Sequence, residues 1–396
     1  MPDLADLKII DVDSHISEPF DLWTSRAPAA WRDRMPRIET RDGLRHWVVD
    51  RDTDLGRAWP VSVVNKDGSK CRGLDFFGWS HEEAHPSSFD MNARLGVLDR
   101  FGIHAQVLYP NLAGFGNQAF VRLDDQELRR QCAIVYNDAM AEIQANSGSR
   151  LLPMALMPWW NISESVDEVC RAKALGLRGI VMCSDPDTIG MPDLGDDAWT
   201  PFWEVCADLS MPVNFHIGAS DTAFNMYGRA AWPSMRSTQK RQTRRSIALG
   251  SAALFFENAR VLGNLICSGV LDRHPGVKVV SVESGIGWIP FMLESLDYEW
   301  FESGSQAEYE LAMPPSAYFR RQVFGCFWFE MAAPTHLVDV IGEDNLMFET
   351  DYPHPTCLYP GVPEYLAEVT KEWSESQTRK ILQDNAAQLY GLDLDG

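Results

Sequence analysis

Short, nearly continuous apolar runs, separated by longer stretches of helical periodicity, constrain this chain more than any other feature. The runs fall at residues 8–13, 105–110, 151–157, 178–183, 213–216, 277–283, 323–329 and 345–350. A strand apolar on both faces belongs in a parallel sheet covered by helices. Helical patterns fill the gaps at 91–102, 124–145, 163–175, 199–209, 246–274, 288–301, 333–341 and 363–390. The first of these opens after Asp90, a suitable N-cap, and closes on Gly102, while His274-Pro275-Gly276 stops the longest. Eight strands, each followed by a helix, predict an α/β fold of the (β/α)8 barrel type, the TIM barrel.

The chain has 396 residues. Such barrels run to ~250 residues or more as one unit, so residues 1–396 read as a single domain with insertions after strands 1 and 5. The first insertion, residues 16–90, is rich in Trp, Pro, Gly and charge, and the second covers residues 217–245. Both follow strand C-termini, the end at which barrels build their sites, and both are expected to form a lid or pocket wall. The 14 tryptophans read chiefly as packing around a large barrel, with some available to wall a pocket for a flat substrate.

The formal charge of −21 repels phosphate backbones and anionic lipid, so neither nucleic acid nor membrane is an expected partner. The local exception is Arg236, Lys240, Arg241, Arg244 and Arg245, either a solvated face or a patch that attracts an anionic substrate. Cys71, Cys132, Cys170, Cys183, Cys206, Cys267, Cys326 and Cys357 form no CxxC pair, which argues against a zinc ribbon, a redox motif or a disulfide scaffold and suits a reducing compartment. The start, MPDLADLKII, lacks the pattern of a signal peptide, and no apolar run approaches the ~18 residues that span a bilayer. A cytoplasmic protein is expected.

Three strand ends carry the chemistry. The first closes on Ile10-Asp11-Val12-Asp13-Ser14-His15, and residues two apart on a strand share a face, so Asp13 and His15 can offer an oxygen and a nitrogen to one ion. The fifth ends at His216, followed by Gly218; taken alone, that histidine reads equally as a ligand or as a satisfied core residue. The eighth ends Phe348-Glu349-Thr350-Asp351-Tyr352-Pro353-His354. A carboxylate buried at a strand tip needs charged or hydrogen-bonding partners, and a bound cation supplies one. Two imidazoles and two carboxylates on one rim suit Zn²⁺ best, and also Mn²⁺ or Fe²⁺. His354 could hydrogen-bond Asp351, face a substrate or simply pack its loop. Glu18 reads as a surface acid, with the option of reaching the site.

Taken together, the chain resembles the amidohydrolase superfamily, in the branch of non-oxidative decarboxylases that act on aminocarboxymuconate semialdehyde, resorcylates and carboxyvanillate. The matching pieces are Ile10 to His15 with Glu18-Pro19, the segment from Arg94 to Leu108, Asn214 to Gly218, His274 to Gly285 and Glu349 to His354. They span nearly the whole chain in the family's order. The resemblance implies Asp13, His15, His216 and Asp351 as ligands of one divalent metal, with Asp351 also moving a proton. It also implies a homodimer or homotetramer. The family's sixth strand commonly ends in histidine, where this chain has Glu283-Ser284-Gly285. A carboxylate cannot donate a hydrogen bond unless protonated, so Glu283 reads as a general base, a further ligand or a structural acid.

Two chemistries fit such a site: decarboxylation of a (hydroxy)aromatic or related unsaturated carboxylate, with Asp351 or a neighbouring acid protonating carbon, and hydrolysis of an amide, ester or lactone by activated water. The resemblance favours the first. A barrel that kept its fold and lost catalysis, serving as a binding protein, is the third reading.

Overall fold

The structure is a computed structural model and describes residues 4–229, 232–235 and 243–394. The first apolar run forms β1 (Ile9–Asp11). Within the first insertion come α1 (Leu22–Arg26) and an antiparallel sheet of β2 (Arg37–Arg41), β3 (Leu44–Val49) and β4 (Thr53–Arg57). The regular alternation then begins: α2 (Met91–Phe101), β5 (Ile103–Leu108), α3 (Gln126–Asn146), β6 (Leu151–Pro153) and β7 (Ala155–Leu156), α4 (Ile162–Ala174) and β8 (Ile180–Val181). Next come α5 (Thr200–Asp208), β9 (Val213–His216), the short α6 (Asp221–Ala223), α7 (Arg244–Leu254), α8 (Glu257–Cys267), α9 (Val270–Arg273) and β10 (Val279–Val282). The chain ends through α10 (Ile289–Glu302), α11 (Pro315–Gln322), β11 (Val323–Phe327), α12 (Ala332–His336), α13 (Val338–Ile341), β12 (Leu346–Phe348), α14 (Val362–Val369), α15 (Glu375–Arg379) and α16 (Asn385–Tyr390).

Every predicted apolar run overlaps a strand, β5 starting and ending two residues before the run at 105–110, and all of these strands pair in parallel, in the orders β1-β5-β6 and β7-β8-β9-β10-β11-β12. Only Met154 separates β6 from β7, and its N–H donates to Leu108 O (3.0 Å) while Ala155 N–H donates to Gly179 O (3.0 Å). One interrupted strand thus serves both sheets. At the other edges Val12 N–H donates to Phe348 O (3.0 Å) and Asp351 N–H to Asp13 O (3.0 Å). The strands are wholly buried where β10 reads Val-Val-Ser-Val, and each such aliphatic side chain contributes about 1.5–3 kcal/mol on burial. Nine of the 14 tryptophans are buried, Trp23 against Trp47 and Trp199 near Trp203 among them, so packing is their main role.

Helix α2 begins as its sequence indicates, the Asp90 carboxylate accepting from Asn92 and Ala93 N–H, and it ends on Gly102 in the left-handed region (φ 69°). Three predicted helices are broken. The stretch 246–274 divides into α7, α8 and α9, the last break at Gly269 (φ 77°), where an added Cβ would lie 2.4 Å from Tyr309 Oη. Helix 333–341 breaks at Leu337, and 363–390 at residues 370–374, where Ser374 caps α15. Periodicity continues through such breaks because each piece still faces the same core.

The sheet inside residues 16–90 was not anticipated. Its strands read RIETR, LRHWVV and TDLGR, too charged to stand out as apolar runs. The available signal was Asp42-Gly43, both at positive φ (50° and 78°), the dipeptide that favours a tight hairpin. Arg236, Lys240 and Arg241 of the basic cluster lie outside the described residues. No described helix is long and apolar enough to cross a membrane.

Candidate metal centre

Asp13 and His15 leave the end of β1 two residues apart and are fully buried. His216 is the last residue of β9, Glu283 follows β10, and Asp351 lies three residues beyond β12. Glu283 and Asp351 both take left-handed backbone (φ 51° and 55°), a conformation that costs a non-glycine residue about 1–3 kcal/mol and aims the side chain into the rim. A buried polar scaffold holds these tips. Arg94, from α2, donates to His15 O (2.6 Å), Ser87 O (2.7 Å) and Gln106 Oε1 (2.9 Å). Gln106 Nε2 donates to Asp11 Oδ2 (2.6 Å), and Asp11 also accepts from Thr350 N–H (2.8 Å), Thr350 Oγ1 (2.5 Å) and Asp13 N–H (3.2 Å). One carboxylate therefore ties the chain before Asp13 to the chain before Asp351.

The side-chain tips converge. Asp13 Oδ1 lies 3.5 Å from His15 Nε2 and 3.6 Å from His216 Nε2; the two imidazole nitrogens are 3.2 Å apart. Asp351 Oδ1 is 3.3 Å from His15 Nε2, and Glu283 Oε2 is 3.2 Å from His216 Nε2. Ligand atoms ~2.1 Å from one ion sit roughly 3.0–3.4 Å from their neighbours, close to these spacings. Ligating atoms of Asp13, His15, His216 and Glu283 all lie within 4.8 Å of one another, as do those of His15, Glu283, Asp351 and His354. Of the four ligands that the resemblance implied, three fall in the first set, and Asp351 falls in the second, joined to it through His15 and Glu283.

The donor chemistry fits a cation. His216 Nδ1–H donates to Ile217 O (2.7 Å), so in the neutral ring Nε2 presents its lone pair to the cluster. Burial lowers the pKa of His216 to about 4 and that of His15 well below its ordinary value, favouring the neutral imidazole a metal needs. Burial, then repulsion from Asp351, pushes the Asp13 and Glu283 carboxyls up, and burial with Asp13 does the same to Glu349. Asp351 goes the other way: burial is overcome by His354 and His15, which hold it below the usual carboxylate range. Both oxygens of Asp13 and Oδ1 of Asp351 are buried without a hydrogen bond. Such orphaned oxygens are costly to bury, and a divalent cation held among them would offset both that cost and the repulsion.

His354 stacks on His15 (ring centroids 3.4 Å apart, 11° between planes), with Nδ1 3.3 Å from Asp351 Oδ1 and Nε2 2.9 Å from Asn111 Oδ1. The Thr356 hydroxyl reaches Asp351 Oδ2 and lies 3.3 Å from Glu283 Oε1, yet its single proton can serve one carboxylate at a time. A cavity of about 300 Å³ opens above, its lining including Asn111, Phe115, Gln118, Asp221, Glu283 and His354.

The amidohydrolase family model matches residues 10–392. The chain belongs to the amidohydrolase family. A curated relative, the 2-amino-3-carboxymuconate-6-semialdehyde decarboxylase of Dictyostelium discoideum, is 26% identical over 382 residues, covering 94% of this amidohydrolase and 91% of the relative. An amidohydrolase from Mycobacterium avium subsp. paratuberculosis K-10 superposes with a TM-score of 0.75 at 23% identity, covering 98% and 100% of the two chains. A dihydroxybenzoic acid decarboxylase from Polaromonas sp. JS666, solved with manganese and 2-nitroresorcinol, does so with a TM-score of 0.62 at 17% identity, covering 98% and 97%. At those identities the two structures show a shared fold.

Sequence reasoning missed several residues around the site of this amidohydrolase. Phe115 packs its ring 4.1 Å from that of His216 and 5.0 Å from that of His15. Asn111 and Phe115 follow β5, so their place after a strand C-terminus was the available signal. Thr356 carried none. Glu18 is a correction: it is buried, not a surface acid, and its carboxylate accepts from Asn111 N–H (2.9 Å) and Leu112 N–H (3.0 Å). It lines a neighbouring cavity of about 190 Å³ together with Trp47, Arg57, Trp59, His81 and Asn111. Residues between 17 and 81 thus line most of this second cavity, whereas residues 111–118 and 217–224 contribute most of the wall beside the carboxylates.

Proposed function

We propose that this amidohydrolase is a metal-dependent, non-oxidative decarboxylase of a hydroxylated aromatic or related unsaturated carboxylate. The observation that carries the reading is the clustering of Asp13, His15, His216 and Glu283, with Asp351 joined to them through His15 and Glu283, and with orphaned carboxylate oxygens, beside a cavity large enough for one ring. The names of its relatives support the reaction class. We further propose that the strands close into one (β/α)8 barrel spanning residues 1–396, with residues 16–90 as a wall of the pocket region. The hydrogen bonds from Val12 to Phe348 and from Asp351 to Asp13 support that closure.

Asp13, His15, His216 and Asp351 would hold one divalent cation, Zn²⁺, Mn²⁺ or Fe²⁺. When bound, the cation supplies Lewis acidity to the oxygens of an anionic substrate. Phe115 and His354 line the cavity and offer flat surfaces for an aromatic ring. As the bond between ring carbon and carboxylate breaks, its electron pair stays on that carbon and carbon dioxide leaves; Asp351, ionised in the free site, would first take up a proton and then pass it to that carbon. His354 lies between Asp351 and Asn111 and can return a proton to Asp351 from the cavity side. Glu283 faces the same cavity. A carboxylate in the place of the family's imidazole also suits removal of a proton from water, the feature that favours the alternative, hydrolysis of an amide, ester or lactone.

All eight cysteines are free, in keeping with a reducing cytoplasm, and a homodimer or homotetramer remains the assembly the resemblance implies. The deciding experiment incubates the metal-loaded protein with ortho-hydroxylated benzoates and unsaturated carboxylates, and in parallel with lactones, esters and amides, in ¹⁸O-labelled water. Carbon dioxide release with a decarboxylated product free of label is expected. Labelled hydrolysis products, with no carbon dioxide from any acid, would refute the proposal.

A further inference from the structure

We infer that Glu283 is itself a ligand of the metal, making a centre of two imidazoles and three carboxylates that prefers Mn²⁺ or Fe²⁺ to Zn²⁺. The inference deepens the metal-centred reading above and rests on it. Of the residues around the cluster, only His15 and Glu283 belong to both mutually close sets, the one with Asp13 and His216 and the one with Asp351 and His354. Glu283 is therefore as central to the space between the carboxylates as the histidine that the resemblance makes a ligand.

Its immediate surroundings leave few other roles. Oε2 lies 3.2 Å from His216 Nε2, the nitrogen left without a proton by the bond from Nδ1–H to Ile217 O. A carboxylate oxygen and an imidazole lone pair repel at that distance unless a cation or a proton lies between them. Fully buried oxygens of Asp13 and Asp351 face the same space without hydrogen bonds, the independent sign that something positive belongs there.

The local backbone is built to hold the Glu283 side chain in this place. Glu283 N–H donates to Glu349 Oε2 (3.2 Å), and Gly285 turns the chain at φ 68°, where an added Cβ would lie 2.8 Å from Glu330 Oε2. The Glu330 carboxylate then accepts from Ile286 N–H (2.9 Å) and Gly287 N–H (2.8 Å). A side chain that merely filled space would not need a left-handed residue followed by a clamped turn.

A third carboxylate alters what the centre selects. Zn²⁺ is satisfied by four ligands, whereas Mn²⁺ and Fe²⁺ accept five or six with more oxygen among them. The added charge also weakens the attraction of the centre for a second carboxylate from substrate, so substrates bearing one carboxylate are favoured over dicarboxylates.

Metal-free protein titrated with Mn²⁺, Zn²⁺ and Co²⁺ against a competing chelator tests this without reference to activity. Wild-type protein should bind Mn²⁺ and give the weak visible absorption of five- or six-coordinate Co²⁺. Glu283→Gln should lose about 10-fold or more in Mn²⁺ affinity, lose less for Zn²⁺, and shift Co²⁺ towards the intense bands of four-coordination. Glu283→His, a second variant should the first fold poorly, should move preference towards Zn²⁺. Mn²⁺ affinity within twofold of wild type in both variants, with unchanged Co²⁺ spectra, would overturn the assignment while leaving the metal centre standing. A wild-type protein that takes up none of the three ions would overturn both.

Discussion

Replacing Arg94 by methionine tests whether the buried scaffold beneath β1 shapes the site. Methionine keeps much of the volume and removes the guanidinium, leaving Ser87 O, His15 O and Gln106 Oε1 without their donor. A buried acceptor left unsatisfied costs about 1–3 kcal/mol, so the three together come to about 6 kcal/mol. The opposing term is relief of the buried cation. Burial lowers the Arg94 pKa from 12.5 to about 10, which corresponds to about 3 kcal/mol at 1.36 kcal/mol per pKa unit. The net expectation is destabilisation by about 3 kcal/mol. The cation–π contact with Tyr352, 4.8 Å from the guanidinium carbon, is lost as well. Urea unfolding of metal-free protein reads the stability, with Arg45→Met, whose ion pair with Glu82 is exposed, as a control expected within about 0.5 kcal/mol of wild type. Chelator competition on the same samples should show Arg94→Met about 10–100-fold weaker in metal affinity, because the carbonyl of a ligand has lost its anchor. Stability within about 0.5 kcal/mol of wild type would refute the reasoning, since it would mean that those acceptors find other partners.

Stripping the metal should lower the folding stability by about 2.7 kcal/mol relative to protein held at 100 times the dissociation constant, and calorimetry with and without a chelator would detect it; identical melting in both would speak against a bound cation. His216→Ala should reduce metal uptake by about 100-fold while far-UV circular dichroism stays native, because the change removes one ligand and spares the backbone of β9; undiminished uptake would remove His216 from the centre. Burial raises the Glu18 carboxyl from 4.5 to about 7. With the folded value above the unfolded one, its contribution is complete below pH 4.5 and is lost as pH rises through 7, on the order of 3 kcal/mol. Glu18→Gln keeps an oxygen for Asn111 and Leu112 N–H and should flatten the decline in stability over that window; an unchanged slope in pH-dependent urea unfolding would count against the burial argument.

The order of strands and helices was legible in the sequence because both signals are local. Apolar runs mark β1 and β5 to β12 because both faces of these strands are buried, and Asp90 and Gly102 bound α2 through contacts within a few residues. Placement of Asp13, His15, His216 and Asp351 at strand ends follows from that periodicity, and their identity as one group from family resemblance. The hairpins of β2 to β4 were missed because a charged sheet carries little hydrophobic contrast, although Asp42-Gly43 marked the turn.

Only tertiary structure decided which side chains meet. That Glu283 stands beside His216, that His354 lies flat on His15, and that Glu18 is buried against Asn111 depend on segments far apart in the chain being brought to one rim. Each of these residues has a local sequence context compatible with solvent, packing or catalysis. The choice among those fates is made by the distance to groups on other strands and by whether water can reach them. A one-dimensional pattern does not contain either quantity.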